Sequence, residues 1–555
     1  MENARLLIAI VLSLLVFIVW NALFLDKEKE KVPKQNIQTQ QHVTKSKEKA
    51  ATETATKQTA LPEPKAAPKP VVTKPAGPAR IVTVNLPLYT VKISEKGAVF
   101  RSFILKKYRE TIAPNSPFLD MIDPDLSQGT VRIGMAGNSL QGLDDAVFST
   151  NLNKDSIDVN DKPREISFTW TSPGGVVVEK KFLFSPKTYM VALDVIIINK
   201  SGRQIKDSLT LSLLKKGPEN SSRYGFEGPS ALINNKLEEI AIKKIKKQDV
   251  YPGKLKWIGI QGRYFLSAIM PVEAIDASMH LSNGGDTLMT TYVQPEQSIL
   301  PEQQHVFKYK LFFGPKSMAV LKSVDYDLIK AVNFGIFDIL AKPCVYIMNF
   351  IYKFIPNYGV AIIILTILSK ILLWPLGNKS YKSMAEMKKI QPLMAEIKEK
   401  YKGDKKKMNE EMMALYKTYK VNPMGGCLPM VVQIPVFFAL YRMLYGAIEL
   451  RHAPFIWWIN DLSAPDRLFR FHFHVPFMQP PYGIPVLTII MGVTMFFQQK
   501  MSPPAGDPTQ AKMMMMMPIV FTVIFINFSS GLVLYWLVNN VISMIQQYYI
   551  TKKNA

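Results

Sequence analysis

Five apolar runs fall between residues 358 and 550, at about 358–376, 424–447, 482–499, 513–528 and 531–550, and a sixth occupies 6–25 (LLIAIVLSLLVFIVWNALFL). A helix rises about 1.5 Å per residue, so roughly 20 apolar residues cross the ~30 Å hydrocarbon core of a bilayer. Runs of this length remove the soluble-globular reading that 555 residues would otherwise invite, because one of the chain's solvents is lipid. The first run is uncharged, preceded by Arg5 and followed by a charged stretch from Asp26. Trp20, Leu23, Phe24 and Leu25 make a poor cleavage site, so 1–25 reads as an uncleaved transmembrane anchor with a cytoplasmic N-terminus.

Residues 26–80 are rich in Lys, Gln, Thr, Ala and Pro and nearly free of aromatics, a composition that cannot bury enough apolar surface to fold. They read as a disordered linker. From 81 to 325 the pattern becomes short alternating strands with turn signals. Tyr89, Val91 and Ile93 alternate before Gly97, and a run from Val176 to Phe184 follows Pro173-Gly174-Gly175. This predicts one large, mainly antiparallel β-sandwich outside the membrane. In 326–357, Leu328, Val332, Ile336 and Ile339 recur at helical spacing among charged residues. That spacing predicts an amphipathic interfacial helix, with a plain connector as the other reading.

The formal charge is +24, and its placement decides its meaning. The 377–422 segment carries twelve Lys against six acids, whereas 448–480 holds three bases and three acids. Short-loop bias therefore puts 377–422 and the 551–555 tail in the cytoplasm and the β domain outside. Six transmembrane helices satisfy every short loop. No basic domain or nucleic-acid motif appears, so no specific nucleic acid is expected. Cys344 and Cys427 belong to no CxxC or His cluster, which predicts no structural metal and no disulfide framework. Within 377–422, Met387, Ile390, Met394, Ile397 and Tyr401 step by three and four, as do Met408, Met412, Leu415 and Tyr419 beyond Gly403-Asp404. Two helices folded back as a hairpin would bury both stripes together, as a rigid spacer or as a docking arm.

Lys370 lies inside VAIIILTILSKILLWPL. An ammonium there costs at least about 2.5–3.5 kcal/mol on insertion scales, which makes it a functional candidate, although its stem could also snorkel past Pro375 to the headgroups. No span interior contains Asp or Glu, so an inward Lys370 would have only neutral neighbours. Thr366 and Ser369 share its face. Gln433, Thr488, Thr494 and Thr522 lie in other spans, and Tyr535, Asn539 and Ser543 step by four along the last. Each could serve helix packing alone, and together they could line a wet, positively charged hollow. The lack of intramembrane acids argues against cation-coupled transport, and the lack of His in the spans argues against a membrane hydrolase. With no GxxxxGK[ST] string either, the chain is expected to be no enzyme and to need no cofactor.

Three strings narrow this further: EMMALYKTYKVNPMGGCLPMVVQIPVFFALYRML (411–444), MGVTMFFQQKMSP (491–503) and SGLVLYWLVNN (530–540). They closely resemble the YidC/Oxa/Alb family of membrane protein insertases, in the Gram-negative form with a large periplasmic domain. The resemblance implies a polytopic inner-membrane protein with a five-helix insertase core, comprising span 358–376 and the helices of 423–550, and a periplasmic β-supersandwich. It implies a groove open to cytoplasm and lipid, where a basic residue on the first core helix attracts the polar part of a substrate. Lys370 matches that position, where many relatives carry Arg. Thr366, Ser369, Gln433, Tyr535 and Asn539 are the expected groove residues. Phe437, Phe438, Phe521 and Phe525 are the expected hydrophobic slide. The implied partners are nascent membrane proteins, the Sec translocon, the ribosome or signal-recognition targeting machinery, reached through 377–422 and 500–512, and membrane lipids. The competing expectation is an anion or lipid transporter using the same lysine, which would need access from both faces.

Overall fold

The computed structural model describes residues 79–217, 225–245, 249–284, 286–421, 428–501 and 508–554. The expected anchor at 1–25, nearly all of the linker, Cys427 and residues 502–507 of the 500–512 loop lie outside the described residues.

The alternation in the β region is realised strand by strand. A five-stranded sheet runs in the order Phe118–Asp120, Val99–Arg109, Tyr89–Ser94, Ile81–Asn85 and Ser156–Asp158, antiparallel except for its last pair. Tyr89, Val91 and Ile93 are all buried, as their period of two requires. A 13-stranded sheet faces it. There Val176–Phe184 pairs antiparallel with Met190–Asn199, Val191 opposite Phe184. Strand Asp249–Gln261 belongs to both halves of this sheet: residues 249–254 pair with 276–281, and residues 258–261 pair with 266–269. The two sheets close on an aromatic core. Tyr89 stacks on Phe103 at 4.3 Å between centroids, Phe103 on Phe313 at 5.0 Å, and Phe100 lies 5.2 Å from Phe182. Each such pair adds about 0.5–1.5 kcal/mol beyond its buried area.

One core position is a lysine. The register that buries Val178 and Phe182 turns Lys180 inward between them. Its Nζ crosses the sandwich and donates to the carbonyls of Ala98 (2.6 Å), Val131 (3.0 Å) and Gly97 (3.2 Å). Gly97, Ala98 and Val131 all have positive φ, so these turn carbonyls are turned out of the strand ladder. The ammonium's three donors meet three acceptors that would otherwise be buried unpaired.

Nine helices follow among the described residues: α1 (Met318–Val324), α2 (Asp338–Phe354), α3 (Tyr358–Lys389), α4 (Gln391–Lys400), α5 (Lys405–Thr418), α6 (Leu428–Gly446), α7 (Val486–Met501), α8 (Pro508–Phe525) and α9 (Ser530–Asn554). The Leu328-to-Ile339 spacing is not one helix. It crosses 3-10 turns at Leu328–Ala331 and Gly335–Phe337 before α2 begins, and Pro343 sits inside α2. Likewise α3 does not stop near 376. Pro375 removes one backbone donor, yet the helix continues thirteen residues past 376 to Lys389. Its N-cap is Asn357, whose side chain accepts from the Val360 N–H at 3.1 Å. Helices α4 and α5 fold back as the two stripes predict. Ile390, Met394 and Val421 are buried there against Met387, Met412, Leu415 and Tyr416, while Tyr419 turns outward.

Among the described residues, the stretches Gly335–Phe354 and Tyr358–Lys389 are long and apolar enough to cross a membrane, and α7 and residues 514–525 of α8 are shorter apolar helices. The β region is tied to the helices by Arg263. Its guanidinium lies 3.6 Å from the Tyr445 ring centroid and its Nε donates to the Tyr445 carbonyl at 2.9 Å. Arg451 makes the reciprocal contact, donating to the Arg109 carbonyl at 2.7 Å.

Candidate functional site

The exposed residues of α3 around its lysine are Ile367, Leu368, Ile371 and Leu372, and the buried ones are Leu365, Thr366 and Lys370. Lys370 is 8% exposed. It therefore points into the bundle and does not reach for the headgroups, and what it meets is α9. Its Nζ donates to Ser543 Oγ at 2.7 Å. Ser543 passes the bond on, its hydroxyl donating to the Asn539 carbonyl at 2.7 Å one turn earlier. Tyr381, three turns along α3 from Lys370, is hydrogen-bonded to the same serine. Among the described residues Lys370 makes no ion pair.

Asn539 is the junction to a third helix. Gln433 Nε2 on α6 donates to Asn539 Oδ1 at 2.6 Å, and Gln433 is also hydrogen-bonded to Tyr535. Lys370, Ser543, Asn539, Gln433 and Tyr535 thus form one connected polar line across α3, α9 and α6. It continues toward the end of α9, where buried Gln546 donates to Asn378 Oδ1 at 2.9 Å and to the Trp374 carbonyl at 3.1 Å. Gly377 makes that approach possible, since a Cβ there would come within 2.8 Å of Gln546 Nε2.

Thr366 and Ser369 do not join the line through their donors. Thr366 Oγ1 donates to the Ile362 carbonyl and Ser369 Oγ to the Thr366 carbonyl, and Thr494 and Thr522 likewise bond back to their own helices. Ser543 was legible as the last step of the Tyr535, Asn539, Ser543 series, and the polar residues that the sequence did not point to are Tyr381, Gln546 and Asn378. Extending the four-residue step Tyr535, Asn539, Ser543 by one further turn reaches Gln546 and Gln547. Tyr381 and Asn378 had no such signal, because α3 was expected to have ended.

The four phenylalanines divide. Phe437 packs edge-on to Trp536 at 4.6 Å, Phe525 lies 5.0 Å from the same ring, and Phe521 6.1 Å. These three gather on Trp536, one residue from Tyr535, so the aromatic cluster adjoins the polar line. Phe438 lies edge-on to Phe437 at 5.4 Å and also stacks on Phe337 at 6.0 Å.

Comparisons with known proteins bear on both regions. Residues 81–347 match the family described as YidC periplasmic domain, and residues 350–555 match the family described as 60Kd inner membrane protein. The membrane protein insertase YidC of Syntrophobacter fumaroxidans is 44% identical over 84% of this chain and 85% of its own length. That of Geobacter metallireducens is 40% identical over 99% of this chain and 98% of its own. A crystal structure of an active YidC insertase aligns with 85% of this chain and 94% of that one at 19% identity, with a TM-score of 0.37.

Proposed function

The chain belongs to the YidC family of membrane protein insertases, and from that premise we propose how its own residues carry insertion. It is an insertase and not an enzyme. It belongs to the inner membrane with a periplasmic domain, and its substrates are nascent membrane proteins. In the proposed topology α3, α6, α7, α8 and α9 cross the bilayer as the five-helix core, with the 6–25 anchor as a sixth crossing. Both termini and the α4–α5 arm lie in the cytoplasm, as the short-loop charge bias favours. Helix α2 lies along the interface, its Ile339, Phe350 and Phe354 exposed.

The observation that carries the mechanism is the buried Lys370 ammonium held by a neutral hydroxyl. A buried cation whose hydrogen-bond partner among the described residues is the neutral Ser543 hydroxyl gains much from an approaching carboxylate, so the acidic or polar part of a substrate is drawn to the line from Lys370 to Gln433. Thr366, Ser369, Tyr535 and Asn539 supply polar wall beside it. Each charged residue that enters this line is spared part of the cost of crossing hydrocarbon. The substrate's apolar segment then passes Phe437, Phe521 and Phe525, with Phe438 at the outer edge. It partitions into lipid at about 0.8 kcal/mol per buried CH₂, which drives release without nucleotide hydrolysis. A lysine in place of arginine suits a diffuse attractor better than bidentate recognition of one carboxylate. The α4–α5 arm is the proposed contact for ribosome or targeting machinery, and the same core works alone or beside the Sec translocon.

Photo-crosslinkers at 366, 433 and 539, compared with 368 and 372 on the exposed face of α3, test this. A stalled nascent chain with an acidic tail should crosslink from the first set and lose those crosslinks in Lys370→Glu. Crosslinking from 368 and 372 alone would contradict the route.

A further inference from the structure

The connection between α6 and α7 carries a hairpin, Leu468–Phe471 against Tyr482–Ile484, whose sequence LFRFHFHVPF alternates aromatic and basic residues. The large apolar side chains of this connection are unusually uncovered: Trp457 is 81% exposed, Phe477 80%, Phe469 72% and Phe473 66%. Phe471 stacks on Phe473 at 4.2 Å, so the aromatics form a group. Arg470, His472 and His474 alternate with them and are also exposed.

The hairpin is held firmly. Arg467 donates to the Ile526 carbonyl at 2.8 Å and the Pro481 carbonyl at 2.9 Å, and Asp466 accepts from Trp458 Nε1 at 2.6 Å and the Leu487 N–H at 2.5 Å. Asn527 Nδ2 donates to the Phe477 carbonyl at 2.7 Å. These bonds fasten the hairpin to the start of α7 and the end of α8. Both helices expose apolar faces there, with Ile489, Ile490 and Val493 on α7 and Val520, Val523 and Ile524 on α8. The exposed aromatics therefore continue the belt that those helices turn toward lipid, at its end remote from the α4–α5 arm.

We propose that the 468–484 hairpin, with Trp457, is an interfacial anchor whose aromatic side chains sit in the headgroup–acyl boundary of the periplasmic leaflet, with Arg470 among the phosphates. Aromatic rings with a wet edge favour that boundary, and a guanidinium at headgroup level pairs with phosphate. Cargo arriving between α6, α8 and α9 pushes these helices against the bilayer, and an anchor bonded to the end of α8 and the start of α7 fixes their depth. The proposal rests on the reading that α7 and α8 cross the bilayer.

The test places nitroxide labels at 469, 473 and 477, in a background with both cysteines replaced by serine, in the full chain reconstituted into phosphatidylethanolamine–phosphatidylglycerol vesicles. Accessibility to oxygen is compared with accessibility to a water-soluble nickel chelate, with position 493 on α7 as the lipid reference and 181 in the β region as the aqueous one. The expected result is an oxygen-to-nickel ratio at 469, 473 and 477 several-fold above that at 181 and approaching that at 493. If 493 reads as lipid while the three hairpin positions match 181, the anchor is overturned and the spanning reading stands. If 493 itself matches 181, the spanning reading fails and the anchor with it. Labels that are aqueous in vesicles but shielded in native membranes would assign the patch to a protein partner and overturn the lipid assignment.

Discussion

Lys370 on α3 and Ser543 on α9 meet at 2.7 Å, ammonium donating to hydroxyl, and the serine's own proton goes to the Asn539 carbonyl four residues back. The serine is an acceptor because its donor is already committed. In the proposed route that order of bonds lets Ser543 position the charge that Lys370 supplies.

Ser543→Ala removes one buried bond to a charged group, worth about 1.5–3 kcal/mol, and leaves the charge in place. The variant should unfold earlier in a denaturant titration in detergent micelles while still inserting substrate at a reduced rate. Full loss of insertion with unchanged stability would mean that the hydroxyl itself contacts substrate.

Gln433 and Asn539 tie α6 to α9 through one 2.6 Å bond. A double-mutant cycle with Gln433→Leu and Asn539→Leu should give a coupling energy of about 0.6–1.7 kcal/mol, the range for interhelical bonds in membranes. Additive effects would show that the pair does not hold the helices together.

Lys180 gives the β region a pH dependence. Burial, with Arg132's charge adding, pulls its ammonium down from the ordinary 10.5 to about 7, against the hold of three carbonyls on the protonated form. In the unfolded chain the lysine keeps its proton up to its ordinary value, so between about pH 7 and 10.5 the unfolded state binds the extra proton and stability rises with pH. Urea titrations read by tryptophan emission at pH 7, 8.5 and 10 should show wild type gaining stability relative to Lys180→Met across that window. Parallel curves for the two would place the folded Lys180 near its ordinary value.

How much of this could be read beforehand varies by residue. Strand Val176–Phe184 has the bounds its alternation predicts, and Met387, Ile390 and Met394 meet Met412 and Leu415 as their spacing requires, because both signals are local periodicities. That Lys370 is a charge an apolar helix would not ordinarily carry was legible, but whether it turned inward or snorkelled was not. What was not legible came from contacts distant in sequence. The span of apolar residues ends near 376, and the continuation of α3 to Lys389 runs alongside contacts from α9, with Gln546 bonded to the Trp374 carbonyl and to Asn378. Lys180 in the core, the stacking of Phe438 on Phe337, and the exposed aromatic hairpin each depend on which element lies opposite.

The measurement closest to the central claim is protease protection of a small, newly made protein with an acidic tail in liposomes holding this chain or its Lys370→Arg, Lys370→Ala or Lys370→Glu variant. Protection with wild type and Arg, and its loss with Ala and Glu, is the predicted result, since Arg keeps the charge that the other two remove. Equal protection by all four would leave insertion intact but contradict the role given to the lysine, and protection no better than empty liposomes would contradict the account as a whole.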